Sequence, residues 1–251
     1  MLAYKTWLDT RWRFLIGFGL LTIIAFGTVF NYPTVQRLIP AAEKLDTTGP
    51  LSQMIKDAVE LQRTFRGFVW SQWVSQNFSQ LWTLFAILLG SGGLLSQASG
   101  GPAQFMLSLP VSRNQVLWSR VMMSLGELLA MALLPFLLIP LCAPAVGQSY
   151  SVADSLIHGA CMFTAGTVFF SLAIFLSTLF ADIWRPLLIT CTVAVLLGVA
   201  ERVVGVGLFE VMRAESYFRG SAVPWAGLLT SGTISAALLY GASMNFARQD
   251  F

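Results

Sequence analysis

The chain has 251 residues, of which 56% are hydrophobic and only 11% charged, with a formal net charge of +3. Soluble domains carry about 25% charged residues, so this chain has too little polar surface to cover a water-soluble globule. The same scarcity, with 19 Phe and 8 Trp and with bases that are scattered rather than clustered, excludes a disordered chain and a nucleic-acid binder. The class that remains is an all-α integral membrane protein.

A helix needs about 20 apolar residues to cross the hydrocarbon core. Six runs qualify, at 14–30, 79–98, 116–141, 155–181, 186–204 and 225–246. They predict a single transmembrane domain over 1–251. Strands of a membrane barrel would alternate in segments of about ten residues, and these runs do not. Ahead of the first run, Leu2, Trp7 and Leu8 stand beside Lys5, Asp9 and Arg11. That mixture predicts a short N-terminal interfacial helix, with an unstructured tail anchored by aromatics as the alternative. The first run lacks a small-x-small site at its end, so it reads as a span rather than a cleaved signal. Its end is expected at Asn31-Tyr32-Pro33, opening an outer loop over 31–78. Within that loop Leu51, Ile55 and Val59 are helically spaced, and 51–66 reads as an amphipathic helix.

Six spans place both termini on one side. That side holds Lys5, Arg11, Arg13, Arg113, Arg120, Arg185 and Arg248 against Asp9, Asp182 and Asp250, while bases and acids balance on the other. The bases are denser on the terminal side, which is therefore expected to be cytoplasmic. The expected location is the plasma (inner) membrane, crossed many times.

Enzymatic signatures are missing. A Walker A lysine follows glycine, because Gly-rich backbone cradles phosphate while Lys meets the charge. The lysines here follow Tyr4, Glu43 and Ile55. The chain is expected to bind no cofactor and to be no enzyme. One histidine, His158, cannot build a multi-His zinc site. Cys142, Cys161 and Cys191 lack paired spacing and read as small apolar residues. Ser91-Gly92-Gly93 reads as small-residue helix packing or local flexibility. Glu127 is the one acid deep in a span. Such an acid faces the bundle interior. It fits an interhelical hydrogen bond or a wet position near the inner interface, with a polar substrate path or a proton-coupling site as the alternative.

The most informative stretch is 100–120. Gly100-Gly101-Pro102 breaks the second helix, 103–109 forms a short apolar helix, and Pro110 stops it. Ser112 is a plausible N-cap for the next span. A short apolar helix here can lie among headgroups or plug into a partner's groove.

This segment resembles the loop after the second span of type-2 ABC permeases, the membrane subunits of ATP-binding-cassette exporters. Gly101, the apolar run to Leu109, and Pro110-Val111-Ser112-Arg113 match the family pattern, and the basic-then-acidic ending Arg248-Gln249-Asp250 is similar to the family's tail. The chain departs from the pattern at Pro102, which takes a threonine position, and near Gln97 and Gln104, where the family has acids. The resemblance implies a permease that pairs with a second copy and docks a cytosolic ABC ATPase subunit carrying ATP and Mg. It makes 103–110 a coupling helix, with Phe105, Met106, Leu107, Leu109 and Pro110 in the ATPase groove and Arg113 at its rim. Asp182, Trp184 and Arg185 would form a second cytoplasmic contact, or simply an interfacial turn. It also makes 201–224 a segment that re-enters the outer leaflet before the last span, where pairing of Glu201 with a nearby Arg would reduce the cost of burial. Two rivals stand beside the exporter. A self-sufficient secondary transporter or channel would need several intramembrane ionisable groups and repeat-related broken helices. A membrane enzyme would need a catalytic motif.

Overall fold

The structure, a computed structural model, describes residues 2–43, 50–92, 113–180, 182–205 and 207–248. Among them all regular structure is helical: α1 (Leu2–Glu43), α2 (Pro50–Arg63), α3 (Phe65–Phe68), a π-helical stretch (Val69–Phe78), α4 (Ser79–Gly90), α5 (Arg113–Cys142), a 3-10 turn (Ala143–Val146), α6 (Val152–Ser177), α7 (Trp184–Val204), α8 (Leu208–Arg213), α9 (Glu215–Phe218) and α10 (Trp225–Arg248).

Among the described residues four stretches are long and apolar enough to cross a membrane: Thr6–Pro40, Asn114–Val146, Val152–Ser177 and Trp184–Val204. The runs at 79–98 and 225–246 are not among them. Of the first, Ser79–Gly90 is described as helix, and 93–98 lies outside the described residues. The second forms a continuous 24-residue helix, α10, diluted by Thr230, Ser231, Thr233 and Ser235.

Two sequence expectations are corrected. The region 31–78 is no simple loop, because α1 runs through Asn31-Tyr32-Pro33 as one 42-residue helix. Pro33 forfeits an intrahelical hydrogen bond, a loss that ends most helices. Tertiary contacts hold this one. The Tyr32 ring packs 5.0 Å from Phe65 and 5.2 Å from Phe68, its hydroxyl donates to the Arg63 carbonyl at 3.2 Å, and Gln36 Nε2 donates to the Gln62 carbonyl at 2.8 Å. The amphipathic helix expected at 51–66 is present as α2. The N-terminal interfacial helix is not a separate element either. It is the start of α1, joined to the rest by Trp7 against Phe14 at 5.6 Å and Phe14 stacked on Phe18 at 5.7 Å.

The chain enters the second bundle helix at Thr64, whose hydroxyl accepts the Gly67 N–H at 3.1 Å. From there α3, the π stretch and α4 follow without leaving right-handed helical geometry at their junctions. π-helix is rare and collects at functional positions.

At the centre lies α6, which packs against α4, α5, α7, α8 and α10. Phe169 and Phe170 on it, and Trp73, Phe78, Trp82 and Phe136 on its neighbours, are fully buried. Phe78 meets Phe136 edge-on at 4.7 Å. Without water to drive helices together in lipid, close backbone approach does more of the work, and small residues permit it. Gly166 on α6 shows this, since a Cβ there would stand 2.1 Å from Trp82 Cζ3.

Candidate functional site

A cleft of about 840 Å³ opens between the π-α4 helix, α7 and the α8–α9 segment. Its three walls differ in chemistry. Ser75, Gln76, Ser79, Gln80 and Thr83 supply neutral polar groups at helical spacing. Leu84, Ile87, Val195 and Val199 supply apolar surface. Glu201, Arg202, Glu210, Arg213, Glu215 and Arg219 gather at the far end. The Ser79 and Thr83 hydroxyls donate back to the carbonyls of Ser75 and Ser79, at 2.9 and 2.7 Å. Their hydrogens are thereby taken, and their lone pairs remain as acceptors. The cleft thus suits a molecule with an apolar body and a hydrogen-bonding part.

The charged end is largely paired within itself. Arg213 Nη2 donates to Glu201 Oε1 at 2.6 Å and lies 3.6 Å from Glu215 Oε2, while Arg219 reaches Glu215 at 2.5 Å. Glu201 Oε2 also accepts the backbone N–H of Phe209 at 2.7 Å. Glu201 is thus both ion partner and helix cap, sitting where the macrodipole of α8 favours an acid. The sequence calls for a nearby Arg beside Glu201, and in the structure that residue is Arg213.

A second set of bonds fixes the cap that carries Arg213. Its carbonyl faces His158 Nδ1 at 3.0 Å and accepts from Trp70 Nε1 at 3.4 Å. A carbonyl has no hydrogen, so His158 carries its proton on Nδ1. Asp154 takes Arg66 Nε at 2.9 Å and the Tyr217 hydroxyl at 2.8 Å. Trp70 stacks on Phe218 at 4.4 Å. The hydrogen bond to Asp154, helped by burial, raises the Tyr217 pKa above its ordinary value. Burial does the same for Tyr150, with the Asp154 charge adding to it.

At the other end of the bundle, α1, α4 and α5 enclose a polar cluster. Thr10 Oγ lies 2.5 Å from Glu127 Oε1, and both residues are buried. Arg13 Nη1 donates to the Leu88 carbonyl at 2.8 Å, capping the end of α4. The Arg120 guanidinium fills the space a side chain on Gly92 would occupy, with Nη2 only 1.3 Å from the Cβ position.

Of the residues singled out in the sequence, Phe105, Met106, Leu107, Leu109 and Pro110 lie outside the described residues, and Arg113 is the first residue of α5. Asp182 accepts the Arg185 backbone N–H at 2.7 Å and pairs with Arg185 Nε at 3.0 Å, which makes it a helix-start cap. Trp184 beside it is 71% exposed. Glu127 joins neither group but sits at the α1–α5 junction. Among the described residues no cluster of His, Cys, Asp and Glu could hold a metal ion.

The polar stripe from Ser75 to Thr83 is not among the residues that composition and motifs single out. Its signal was present as polar residues at i, i+4 and i+8 inside an uncharged run. The cleft's pairing of Arg213 with two acids had no local signal, because α8 and α9 fold back onto the end of α7.

Taken together, the helices and the cleft are consistent with a multi-pass membrane protein that can accommodate an amphipathic molecule. Comparison with protein-family models, with curated proteins and with solved structures returns no match for this chain.

Proposed function

We propose that this chain is the transmembrane permease subunit of an ATP-binding-cassette exporter, moving an apolar or amphipathic substrate outward with ATP hydrolysed by a separate subunit. The observation that carries the reading is the cleft between the π-α4 helix and α7, with apolar surface from both helices and a neutral-polar stripe on the first. Its acids and bases are mostly satisfied by one another, which leaves little to couple an ion gradient at the substrate and weighs against a secondary transporter. The Walker-free sequence then requires a borrowed ATPase. In this reading the docking element is 103–110, proposed from its resemblance to the type-2 permease loop and lying outside the described residues.

In this reading six helices span the plasma membrane with both termini cytoplasmic. The π-α4 helix and α10 complete the set begun by the four most apolar stretches. The segment after α7 is re-entrant. In support, Phe209 meets Phe169 at 5.4 Å while the Arg213 carbonyl faces His158, so α8, about 9 Å long, lies against α6 between His158 and Phe169. The exposed face of α7, with Val195, Leu196, Val199 and Val203, fits lipid or a second permease copy closing the cleft.

The test is a search of the neighbouring reading frames for an ABC ATPase with Walker motifs and co-purification with it, together with ATP-driven movement of a fluorescent amphiphile in inverted vesicles. The complex is expected to form, and Leu107→Asp to abolish both docking and transport. Docking unchanged by Leu107→Asp, or movement of the amphiphile without ATP, would refute the reading.

A further inference from the structure

We infer that the cleft takes a zwitterionic phospholipid-type amphiphile, with its phosphate at Arg202, its amine at Glu210 and one acyl chain running toward Cys191. This names the substrate class of the exporter proposed above and rests on that reading for the molecule's outward movement.

Pairing leaves two charges over. Three acids and three bases line the charged end of the cleft. Arg213 is held between Glu201 and Glu215, and Glu215 in turn holds Arg219. That chain of two acids and two bases is neutral. Arg202 and Glu210 stand outside it. Among the described residues neither side chain has an ion-pair or hydrogen-bond partner, and they do not pair with each other.

Their positions are fixed by their chain neighbours. Arg202 follows Glu201, Glu210 follows Phe209, and the Glu201 carboxylate accepts the Phe209 N–H at 2.7 Å. One free cation and one free anion therefore flank a single hydrogen bond. Arg202 is exposed and Glu210 half-buried, so a ligand can reach both. A ligand with one charge of each sign satisfies both. A singly charged ligand leaves one of them unmet and facing a like charge.

The rest of the cleft is ordered as such a lipid is. Trp70 Nε1 donates to the Arg213 carbonyl at 3.4 Å, so the start of the π stretch and the end of α7 lie at the same, charged end. Away from that end the π-α4 helix presents first Gln76 and Gln80, then Leu84 and Ile87. In the same direction α7 presents Val199, Val195 and Cys191. Charged, uncharged polar and apolar surface thus follow one another, matching headgroup, ester and acyl chain. The exposed amides of Gln76 and Gln80 supply N–H donors, which ester carbonyls need. From Cys191 to Arg202 the helix rises about 16 Å, about half of the ~30 Å hydrocarbon core and so one leaflet. A volume of about 840 Å³ lies in the range for one drug-sized ligand, enough for a headgroup and one chain.

The experiment uses the purified full chain in a maltoside detergent at low salt, without ATPase. Energy transfer from tryptophan to a pyrene on the acyl chain reports binding. The probes share that chain and differ in the head: lysophosphatidylethanolamine, lysophosphatidic acid, an alkyltrimethylammonium and an uncharged monoacylglycerol. The zwitterion should bind about three- to fivefold more tightly than either singly charged probe, the worth of one partly exposed ion pair. Added salt should shrink that preference. Arg202→Gln should erase the advantage over the cation, and Glu210→Gln the advantage over the anion. Neither side chain has a partner to lose, so both variants should keep the wild-type Tm. Equal binding of the zwitterion and the singly charged probes, or a preference that survives both variants, would overturn the inference. So would competition by glycerophosphoethanolamine, which has no chain, as strong as that by the lysolipid. A headgroup preference without ATP-driven movement would sink the exporter reading and leave the binding site standing. Movement of an amphiphile with ATP but without headgroup preference would do the reverse.

Discussion

Removing the Arg213 charge should cost more than removing the Glu201 charge, although the two form one pair. Their side chains are 23% and 9% exposed, and the contact is 2.6 Å. Deleting one partner of a buried pair strands the other, at about 3–5 kcal/mol. The partial exposure of Arg213 places Arg213→Met near the bottom of that range, about 3 kcal/mol. Glu201→Gln is milder for two reasons. Its amide oxygen still accepts the Phe209 N–H, and Arg213 still has Glu215 at 3.6 Å. About 1 kcal/mol is expected for it, the net worth of one ordinary hydrogen bond. In a chain of this size each kcal/mol moves Tm by about 2–4 °C, so Arg213→Met should lose about 6–12 °C and Glu201→Gln about 2–4 °C. Thermal unfolding of the detergent-solubilised protein measures both, and the double variant should be less damaging than the sum. Equal shifts for the two single variants, or strict additivity, would show that the pair does not hold the α8 segment in place.

Three further outcomes follow from single contacts. Gly166→Ala drives a methyl against the buried Trp82 ring and should destabilise by about 1–3 kcal/mol in the same assay. By contrast Gly19→Ala, which meets nothing within 4 Å, should be neutral or stabilising. Gly92→Ala collides with Arg120 and should likewise cost about 1–3 kcal/mol, with Arg120→Met relieving part of it in a non-additive cycle. Finally, Tyr217 should ionise later than an ordinary tyrosine, because Asp154 accepts its hydrogen and repels the phenolate. Its contribution to stability is then lost as pH rises through and above about 10, where the unfolded tyrosine titrates first. Ultraviolet titration should show Asp154→Asn moving that transition back toward the ordinary value.

Composition and run length made the class and most of the helices legible, because a helix that crosses lipid must be apolar over its whole length. The same rule misplaced the end of the first span. Asn31-Tyr32-Pro33 is a local stop signal, and it was overridden by Phe65 and Phe68, which are distant in sequence. At the cleft, the ion pair of Glu201 was foreseeable from charge scarcity, but the identity of its partner depended on α8 folding back. The polar stripe at Ser75, Ser79 and Thr83 was legible in principle. Hydropathy alone hides it, because a few uncharged polar residues barely dilute an apolar run, whereas their periodicity marks one helix face. Glu127 was read as an interior acid, and its partner Thr10 lies on a helix more than a hundred residues away.

The continuity of α1 links two places that otherwise share no contact. Thr10 and Gln36 lie on one helix about 39 Å apart, the first against α5 and the second against the end of α2. Such a rod acts as a lever. A tilt of about 5° about its midpoint moves each end by almost 2 Å in opposite senses, about the margin between a made and a broken hydrogen bond. Loosening at the Glu127 junction is thereby felt as a displacement of the α2 anchor on the far side of the bundle.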